Sequence, residues 1–312
     1  MRAEWQKCEY ILLALPHKDS DWSPYLNEIL NSYLEFAKAI ANHCKVLLVH
    51  HESANLDEFK KLNNIEFYCF NTNDTWIRDF GPIDNNLDFV FNAWGNKFSS
   101  NLDNAFNENL FKNYLKKDLN KIDFILEGGS IDTNGKVLLT TTECLLNDNR
   151  NQQSKEEIEN TLKKYLKVQE VLWLENGVII GDDTDSHVDT LARFIDENTI
   201  AYSSCEDEND ENYASLKALE DELKKTKYNL ISLPIPSPKH YNGKRLGCTY
   251  ANFVFVNDAL IMPCYDDKND ELVRQKLQKA LPNHKIILVN ALVFVRQNGS
   301  LHCSCMNIFK ED

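Results

Sequence analysis

The sequence lacks any run of roughly 18 to 20 apolar residues, the length that a membrane-spanning helix requires. Its first residues, MRAEWQKCEYILLALP, also lack the basic head, apolar core and small-residue cleavage site of a secretory signal. No Pro-, Gly- or Ser-rich linker and no shift in composition divides the chain. We therefore expect a cytoplasmic protein in which residues 1–312 form one globular domain.

Positive charge is scarce, because 34 Lys and Arg residues stand against 48 Asp and Glu residues and the net charge is −14. Phosphate backbones are bound by surfaces rich in Lys and Arg, so the sequence argues against a nucleic-acid partner. A strongly acidic protein can instead concentrate a small cationic substrate near its carboxylates. The alternative interpretation is that acidity only keeps the chain in solution.

The nine cysteines are odd in number and scattered along the chain, which predicts free thiols in a reducing compartment rather than a disulfide framework. A local cluster stands out in NGSLHCSCMN, where His302, Cys303 and Cys305 lie within four residues. Such a cluster could bind a metal, form a redox pair, pack inertly in a core or present one nucleophilic thiol. The remainder of the sequence decides between these interpretations.

One pattern recurs five times along the chain: a short β-rich run, a polar loop, an amphipathic helix and a second β-rich run. EYILLALP, SPYLNEILNSYLEFAKAIANH and CKVLLVHH form the first copy, and DALIMPCYDD, NDELVRQKLQKAL and KIILVNALVFV form the fifth. The strand runs alternate little between apolar and polar residues, which predicts strands covered on both faces. Units that cannot complete a core alone must pack on one another, so the pattern predicts a five-unit α/β propeller with the helices outside.

Polar residues follow the second strands of these units. Asp79 lies in NDTWIRDFGP, Glu127 in EGGS, His187 and Asp189 in DDTDSHVDTLARF, and Cys303 in GSLHC. If the units form a ring, these segments face its centre and bring the five residues together. Each residue also has an ordinary explanation: an Asp in a turn, a solvated Glu, a structural His or a buried Cys. Their coincidence at equivalent places favours a common site.

These segments, with EGGSIDTNGKVLLTTTECLLNDNRN and YANFVFVNDALIMPCYDD, resemble in order and spacing the bacterial agmatine deiminases and related peptidylarginine-deiminase-like proteins of the guanidino-group-modifying superfamily. The resemblance covers nearly the whole chain. It implies the five-bladed α/β propeller of the pentein fold and a site without metal or organic cofactor. The chain differs from the usual pattern in QNGS, which replaces a run of glycines, in Cys305, which replaces a Thr, and in Ser186, which replaces a Gly.

By this resemblance, Cys303 is the nucleophile that attacks the guanidinium carbon and forms a thiouronium intermediate. His187, rather than the adjacent His302, protonates the departing ammonia and then activates water, as suits an imidazole that titrates near neutral pH. Asp79 and Asp189 hold the planar guanidinium between two carboxylates. Glu127 orients His187 and keeps it protonated until the leaving group takes the proton.

The expected substrate is agmatine, which ends in a bare ammonium, whereas arginine adds an α-carboxylate that calls for Arg or Lys. The acidic segment GDDTDSH makes Asp183 the candidate for the ammonium end, and Trp76 is the candidate for the aliphatic stem. The predicted reaction yields N-carbamoylputrescine and ammonia, a step of putrescine and polyamine biosynthesis. No membrane partner is expected, and the sequence leaves open whether the chain forms a homo-oligomer.

Three alternatives remain at this point. The first is a zinc site made from His302, Cys303, Cys305 and His187, although structural zinc sites commonly use CxxC spacing and adjacent residues on a strand point to opposite faces. The second is an arginine or peptidyl-arginine deiminase of the same superfamily. The third is a propeller of that superfamily which binds a partner without catalysis.

Overall fold

Residues 1–311 are described by the computed structural model, which has a mixed α/β fold with five main sheets and one small hairpin. The strands are β1 (Cys8–Ala14), β2 (Lys45–His50), β3 (Ile65–Cys69), β4 (Leu87–Val90), β5 (Asn120–Ile125), β6 (Ile131–Thr133), β7 (Val137–Thr141), β8 (Glu170–Leu174), β9 (Ala192–Asp196), β10 (Thr199–Ser204), β11 (Asn229–Pro234), β12 (His240–Tyr241), β13 (Lys244–Arg245), β14 (Val254–Val256), β15 (Ala259–Cys264), β16 (Lys285–Asn290) and β17 (Cys305–Phe309). The α-helices are α1 (Leu26–Ala41), α2 (Ile77–Phe80), α3 (Ala93–Asn96), α4 (Asp103–Leu110), α5 (Thr142–Leu145), α6 (Lys155–Leu166), α7 (Val188–Leu191), α8 (Tyr213–Leu223) and α9 (Lys268–Ala280). Short 3-10 helices lie at Ser23–Tyr25, Phe59–Lys61, Gly128–Ser130 and Phe294–Gln297, and a π-helical turn follows α4 at Phe111–Leu115.

Each main sheet contains a pair of parallel strands joined by a helical crossover. The pairs are β1 with β2, β4 with β5, β7 with β8, β10 with β11, and β15 with β16. Helices α1, α4, α6, α8 and α9 lie in the respective connections. Parallel neighbours need such a crossover because a tight turn cannot join them. The five predicted strand, helix and strand units are therefore present.

Four sheets also contain an antiparallel strand that the sequence pattern did not predict. These strands are β17 beside β1, β6 beside β7, β9 beside β10 and β14 beside β15. Strand β17 begins at Cys305, so the expectation that His302 and Cys303 lie on a strand is wrong. Residues 301–304 form a turn, which is closed by the backbone N–H groups of Ser304 and Cys305.

The longer crossover helices are amphipathic, and two of them, α6 and α9, begin with a side-chain cap. Buried side chains of α1 recur every three or four residues along one face: Ile29, Tyr33, Phe36, Ala37, Ile40 and Ala41. At the start of α6, the Ser154 side chain accepts from the Glu157 backbone N–H and the Glu157 carboxylate accepts in return from the Ser154 backbone. Asp267 and Asp270 form the same capping box at α9. These caps satisfy amide groups that the helix leaves unpaired and fix where each helix begins.

Strands of the first and fifth units form the centre of the apolar core. Residues 11–14 of β1, 46–48 of β2 and 259–262 of β15 have no exposed surface, which agrees with the expectation of strands covered on both faces. A smaller apolar cluster packs around Leu139 and Phe194 on the third and fourth sheets. Within residues 1–311, no helix is both long and apolar enough to cross a membrane.

Candidate functional site

A cavity of about 590 Å³, here called the acidic cavity, collects residues from distant parts of the chain. Its lining includes six of the seven predicted site residues: Trp76, Asp79, Asp183, His187, Asp189 and Cys303. The other lining residues were not predicted: Asp21, Trp22, Asp74, Trp94, Phe98, Asp182, Thr184, Thr190, Gln297, Asn298 and Gly299. Six of the 17 lining residues are Asp, and the lining contributed by residues 1–311 contains neither Lys nor Arg. The cavity is therefore suited to a cation.

Asp79 lies on the short helix α2 and is held by two donors. Its Oδ2 accepts from Trp94 Nε1 at 2.9 Å, and its Oδ1 accepts from the Gly129 backbone N–H at 2.9 Å. Burial, followed by the nearby carboxylates of Asp189 and Glu127, raises the pKa of Asp79 well above its ordinary value. The hydrogen bonds from Trp94 and Gly129 oppose this shift and fix both oxygens in place.

Trp94 reaches Asp79 from a strained stretch of backbone. Within α3 and its flanks, four consecutive residues have positive φ angles: Ala93 (50°), Trp94 (55°), Gly95 (87°) and Asn96 (63°). A bulky residue rarely adopts this conformation, and such strain is concentrated at functional positions. The Asn92 side chain accepts from the Gly95 backbone N–H at 2.9 Å and stabilises the turn. The motif NAWGN, with its Gly and two Asn residues, indicates such a turn in the sequence, but Trp94 was not predicted as a site residue.

Gly129 occupies the point where three site residues meet. A β-carbon at this position would lie 2.6 Å from His187 Nδ1, 2.9 Å from Asp79 Oδ1 and 3.1 Å from Asp189 Oδ2. The EGG motif, which on its own is typical of an ordinary turn, thus includes a glycine that leaves room for the imidazole and both carboxylates. Sequence reasoning identified Glu127 in this motif and missed Gly129.

His187 precedes α7 and is 1% exposed. Within the described structure neither of its ring nitrogens has a hydrogen-bond partner, and Nδ1 lies 3.8 Å from Asp79 Oδ1. Burial lowers the pKa of His187 to about 4, and Asp189 offsets only part of this effect. The imidazole is therefore neutral at pH 7 in the empty cavity, contrary to the expectation that Glu127 keeps it protonated.

Burial is the main cause of the lowered pKa of His187, and the charge of Arg150, which pairs with Glu127, lowers it further. The fully buried Glu127 carboxylate lies 2.8 Å from Arg150 Nε, and Arg150 Nη1 also donates to Asp185 at 3.0 Å. Burial raises the pKa of Glu127, and Arg150 opposes that shift. Glu127 does not line the cavity, but one of its oxygens lies within 4.8 Å of a His187 ring nitrogen. Arg150 was not predicted as a site residue.

Asp189 has one bound oxygen and one unbound oxygen. Oδ2 accepts from His302 Nδ1 at 2.7 Å and lies 3.8 Å from Cys303 Sγ, whereas Oδ1 is buried and has no partner among the described residues. Burial alone would raise the pKa of Asp189, but the hydrogen bond and the charge of His302 outweigh it and the pKa is lowered. Asp189 is therefore an ionised carboxylate with a free oxygen.

Cys303 lies in the turn before β17 and is positioned by Asn252. Asn252 Oδ1 accepts from the backbone N–H groups of His302 and Cys303 at 2.9 and 3.3 Å, and Nδ2 lies 3.3 Å from Cys303 Sγ. Burial, then the charges of Asp189 and Asp79, raises the pKa of the Cys303 thiol well above its ordinary value. The empty cavity therefore holds a neutral thiol. Asn252, in YANF, was quoted in the sequence analysis but was given no role.

The three departures from the family pattern have separate structural outcomes. Ser186 has a φ of 63°, in the left-handed region where Gly is favoured, so it retains the conformation at some cost in strain. Gly299 is needed because a β-carbon there would lie 2.4 Å from the Trp76 ring. Cys305 is fully buried and donates to the His302 carbonyl at 3.5 Å, outside the cavity lining. Cys305 is thus a packed thiol.

The remaining lining of the cavity is mainly acidic and aromatic. Asp183 Oδ2 accepts from Asn298 Nδ2 at 2.7 Å. Burial raises the pKa of Asp74 to about 6, and burial likewise raises the pKa of Asp182 to about 6. Trp76 packs against Trp22 with ring centroids 5.7 Å apart. Carboxylates and aromatic faces are the groups that bind an ammonium.

Potential metal ligands form two groups in residues 1–311: His17, Asp19 and His51, and Glu127, Cys144 and His187. The four residues of the zinc alternative are not such a group in this part of the chain. His302 instead lies between two carboxylates, since Nδ1 bonds to Asp189 and Nε2 lies 2.8 Å from Glu4. All nine cysteines within residues 1–311 are free thiols.

Comparison with known proteins gives one consistent result. A family model described as Porphyromonas-type peptidyl-arginine deiminase matches residues 1–308. The agmatine deiminase of Pseudomonas aeruginosa (strain LESB58) is 31% identical, with 97% of this chain and 93% of that protein covered. The solved structure of C. jejuni agmatine deiminase with substrate bound is 58% identical, with a TM-score of 0.97 and 99% and 95% of the two chains covered. DDAH from P. aeruginosa, complexed with citrulline, is 14% identical with a TM-score of 0.57, covers 97% of this chain and 100% of its own, and shares the fold alone.

Proposed function

Because this chain belongs to the Porphyromonas-type peptidyl-arginine deiminase family, we propose that it is an agmatine deiminase, which hydrolyses agmatine to N-carbamoylputrescine and ammonia. This reaction is a step towards putrescine in polyamine biosynthesis. The observation that carries the proposal is the acidic cavity, where Cys303 and His187 lie among six aspartates and no basic residue of the described chain. A doubly cationic substrate fits this lining, whereas the α-carboxylate of arginine has no partner in it.

The guanidinium would lie between Asp79 and Asp189, in contact with the Cys303 sulfur. The free Oδ1 of Asp189 is available for one N–H, and Asp79 is fixed by Trp94 and the Gly129 backbone. Two carboxylates match the planar fork of guanidinium donors. The bound cation also favours the ionised form of Asp79, whose pKa is raised by burial and by the nearby carboxylates of Asp189 and Glu127.

The covalent step forms a bond between Cys303 Sγ and the guanidinium carbon and breaks one C–N bond. The thiol proton passes to the neutral imidazole of His187, which then gives it to the departing nitrogen, and ammonia leaves. Water next attacks the thiouronium carbon and gives a proton to His187. The C–S bond breaks and the proton held by His187 passes to the sulfur, while the second proton of the water is released to solvent, where it converts ammonia to ammonium, and N-carbamoylputrescine leaves. His187 thus accepts the thiol proton as a base, gives it to the leaving nitrogen as an acid, and acts as a base again towards water.

Glu127 would position His187 from behind without lining the cavity. Both of its oxygens lie near Arg150 Nε, Oε1 at 2.8 Å and Oε2 at 3.0 Å, and one carboxylate oxygen also lies within 4.8 Å of a His187 ring nitrogen. When His187 accepts the thiol proton, this oxygen can stabilise the imidazolium. Arg150 limits the attraction, so the imidazole can lose its proton again to the leaving group.

The far end of the cavity would hold the primary ammonium of agmatine. Asp183 is our candidate for that contact, with Asp74 in the same cavity lining, and Trp76 would cover the aliphatic stem.

We propose further that the five sheets close into a propeller around this site and that residues 1–312 form one cytoplasmic catalytic domain. The pairing of β17 with β1, which joins the last unit to the first sheet, supports the ring.

The proposed substrate is tested by measuring ammonia release from agmatine, arginine and a blocked arginyl peptide. We expect kcat/KM for agmatine to exceed the other two by about a hundredfold or more, since an unpaired buried carboxylate or a lost ammonium contact costs several kcal/mol. Comparable rates with arginine would overturn the assignment of agmatine. Absence of release from all three substrates would overturn the enzymatic function.

Binding of the cation should itself favour the Cys303 thiolate, because the nearby carboxylates raise the thiol pKa in the empty cavity. We expect the alkylation rate of Cys303, measured by peptide mass spectrometry against pH, to reach half its maximum at a lower pH when an alkylguanidinium is bound. The eight other cysteines, alkylated in the same samples, are the internal control. An unchanged midpoint for Cys303 contradicts this prediction.

A further inference from the structure

A buried ionic cluster lies on the other side of the His302 ring from Asp189. It consists of Glu4, Arg78, Asp132, Arg193 and His302, and none of these residues is more than 9% exposed. Glu4 is its centre. Glu4 Oε1 accepts from Arg78 Nη2 at 3.1 Å and lies 2.8 Å from His302 Nε2, and Oε2 accepts from Arg193 Nη2 at 2.6 Å. We call this the Glu4 cluster.

The two ring nitrogens of His302 face two different carboxylates. Nδ1 lies 2.7 Å from Asp189 Oδ2, and Nε2 lies 2.8 Å from Glu4 Oε1. Ionised carboxylates only accept hydrogen bonds, and a neutral imidazole has one N–H. Both contacts are therefore satisfied together only when His302 is an imidazolium.

The charges of the Glu4 cluster and Asp189 balance in that state. Three carboxylates, Glu4, Asp132 and Asp189, are paired with three cations, Arg78, Arg193 and His302. Burial would raise the pKa of Glu4, but Arg193 and His302 outweigh it and the pKa lies well below its ordinary value. Removal of one member leaves a buried charge unpaired, which is costly in a low-dielectric interior.

We propose that Glu4 is a positioning residue for the reaction: it holds His302 as an imidazolium, and His302 keeps Asp189 ionised and aimed at the guanidinium. Glu4 does not touch the substrate and acts only through His302. This inference rests on the proposed function, because Asp189 and Cys303 are its reacting partners. Glu4, near the start of the chain, thus contributes to the site through its contact with His302, which lies 298 positions later in the sequence.

The Glu4 contact also affects the nucleophile. Asp189 Oδ2 lies 3.8 Å from Cys303 Sγ, so an uncompensated carboxylate there would oppose formation of the thiolate. The positive charge of His302, bonded to the same oxygen, offsets this repulsion. The loss of Glu4 should therefore lower kcat by a larger factor than it weakens the binding of substrate.

The test compares Glu4→Gln with Asp132→Asn, each of which removes one negative charge from the Glu4 cluster. In Glu4→Gln the new amide can donate to His302 Nε2, so His302 becomes neutral and the pKa of Asp189 rises. We expect kcat to fall about tenfold at pH 7 and the acid limb of kcat/KM to move up by about one pH unit. Asp132 bonds to Arg193 rather than His302, so Asp132→Asn should leave the acid limb in place.

A second measurement does not depend on turnover. In protein labelled with ¹⁵N-histidine, His302 should show two strongly low-field N–H protons, which are assigned by their loss in His302→Asn. One of them should disappear in Glu4→Gln, and both should remain in Asp132→Asn. In the His302→Asn background, Glu4→Gln should cause no further loss of kcat.

A single low-field N–H on His302 in the unsubstituted protein would overturn the proposal. Equal shifts of the acid limb in Glu4→Gln and Asp132→Asn, or additive losses of kcat in the double variant, would also overturn it. Because the imidazolium signals are read without substrate, a failure of the proposed agmatine deiminase function is distinguished from a failure of this inference.

Discussion

Cys303→Ser should lose ammonia release from agmatine by at least about four orders of magnitude in kcat, since removal of a catalytic nucleophile has effects of this size or larger. A serine hydroxyl at this position stays protonated, because burial and two neighbouring carboxylates disfavour an anion even more strongly than for the thiol. The substrate should still bind, since Asp79 and Asp189 are unchanged. Stopped and steady-state ammonia assays measure the loss, and calorimetry measures the retained binding.

Cys305→Ser is the matched control for this variant, because it changes the other thiol of the same turn and strand. Cys305 packs against the His302 carbonyl outside the cavity lining, so its replacement should leave kcat within about a factor of ten, the effect of a small change in packing. If Cys303→Ser retained one-tenth of the activity, Cys303 would not be the nucleophile. If only Cys305→Ser were inactive, the roles of the two thiols would be reversed.

Asp79→Asn should lower kcat/KM for agmatine by about two to three orders of magnitude, because a buried cation loses one of its two carboxylates. The asparagine amide would also point N–H groups at the guanidinium, which is itself a donor. It would likewise face a donor on its other side, either Trp94 Nε1 or the Gly129 N–H. The folded state should tolerate the change. Because the pKa of Asp79 is raised, its ionisation lowers the free energy of unfolding as pH rises above the ordinary carboxyl pKa. An amide does not ionise, so Asp79→Asn avoids this loss.

Asp103→Asn is a suitable control for a buried aspartate outside the cavity lining. Burial raises the pKa of Asp103 to about 8, so the residue is largely protonated at pH 7 and the amide is close to it in charge and shape. We expect kcat/KM to remain near that of the unsubstituted protein. A loss in Asp103→Asn equal to that in Asp79→Asn would attribute the effect to folding rather than to guanidinium binding.

The sequence predicted the five crossover units because amphipathic helices and covered strands leave strong periodic patterns. It did not predict β6, β9, β14 and β17 as strands, since their pairing with the first strand of a unit depends on contacts rather than on pattern. The turn that contains Cys303 is an example: backbone contacts to Asn252 and to Arg78 hold it, and these residues lie far away in sequence.

For the site, the charged and nucleophilic residues were predicted and their supporting partners were not. Asp79 was expected, but Trp94, which donates to it, comes from a backbone turn with positive φ that residue types describe poorly. Glu127 was expected to act on His187, but Arg150 bonds to it first. Motifs indicate which groups react, whereas the protonation of those groups depends on neighbours that meet only in the folded chain.

The pairing of β17 with β1 can form only late in the synthesis of the chain. During translation β1 emerges early and its edge towards β17 stays open until residues up to Phe309 have been made. Cys303, the proposed nucleophile, is made in the same late interval, after every aspartate of the cavity lining. A nascent chain that ends before residue 303 therefore has an uncovered strand edge and lacks the Cys303 thiol, and residues 303–309 supply both the thiol and the strand that covers the edge.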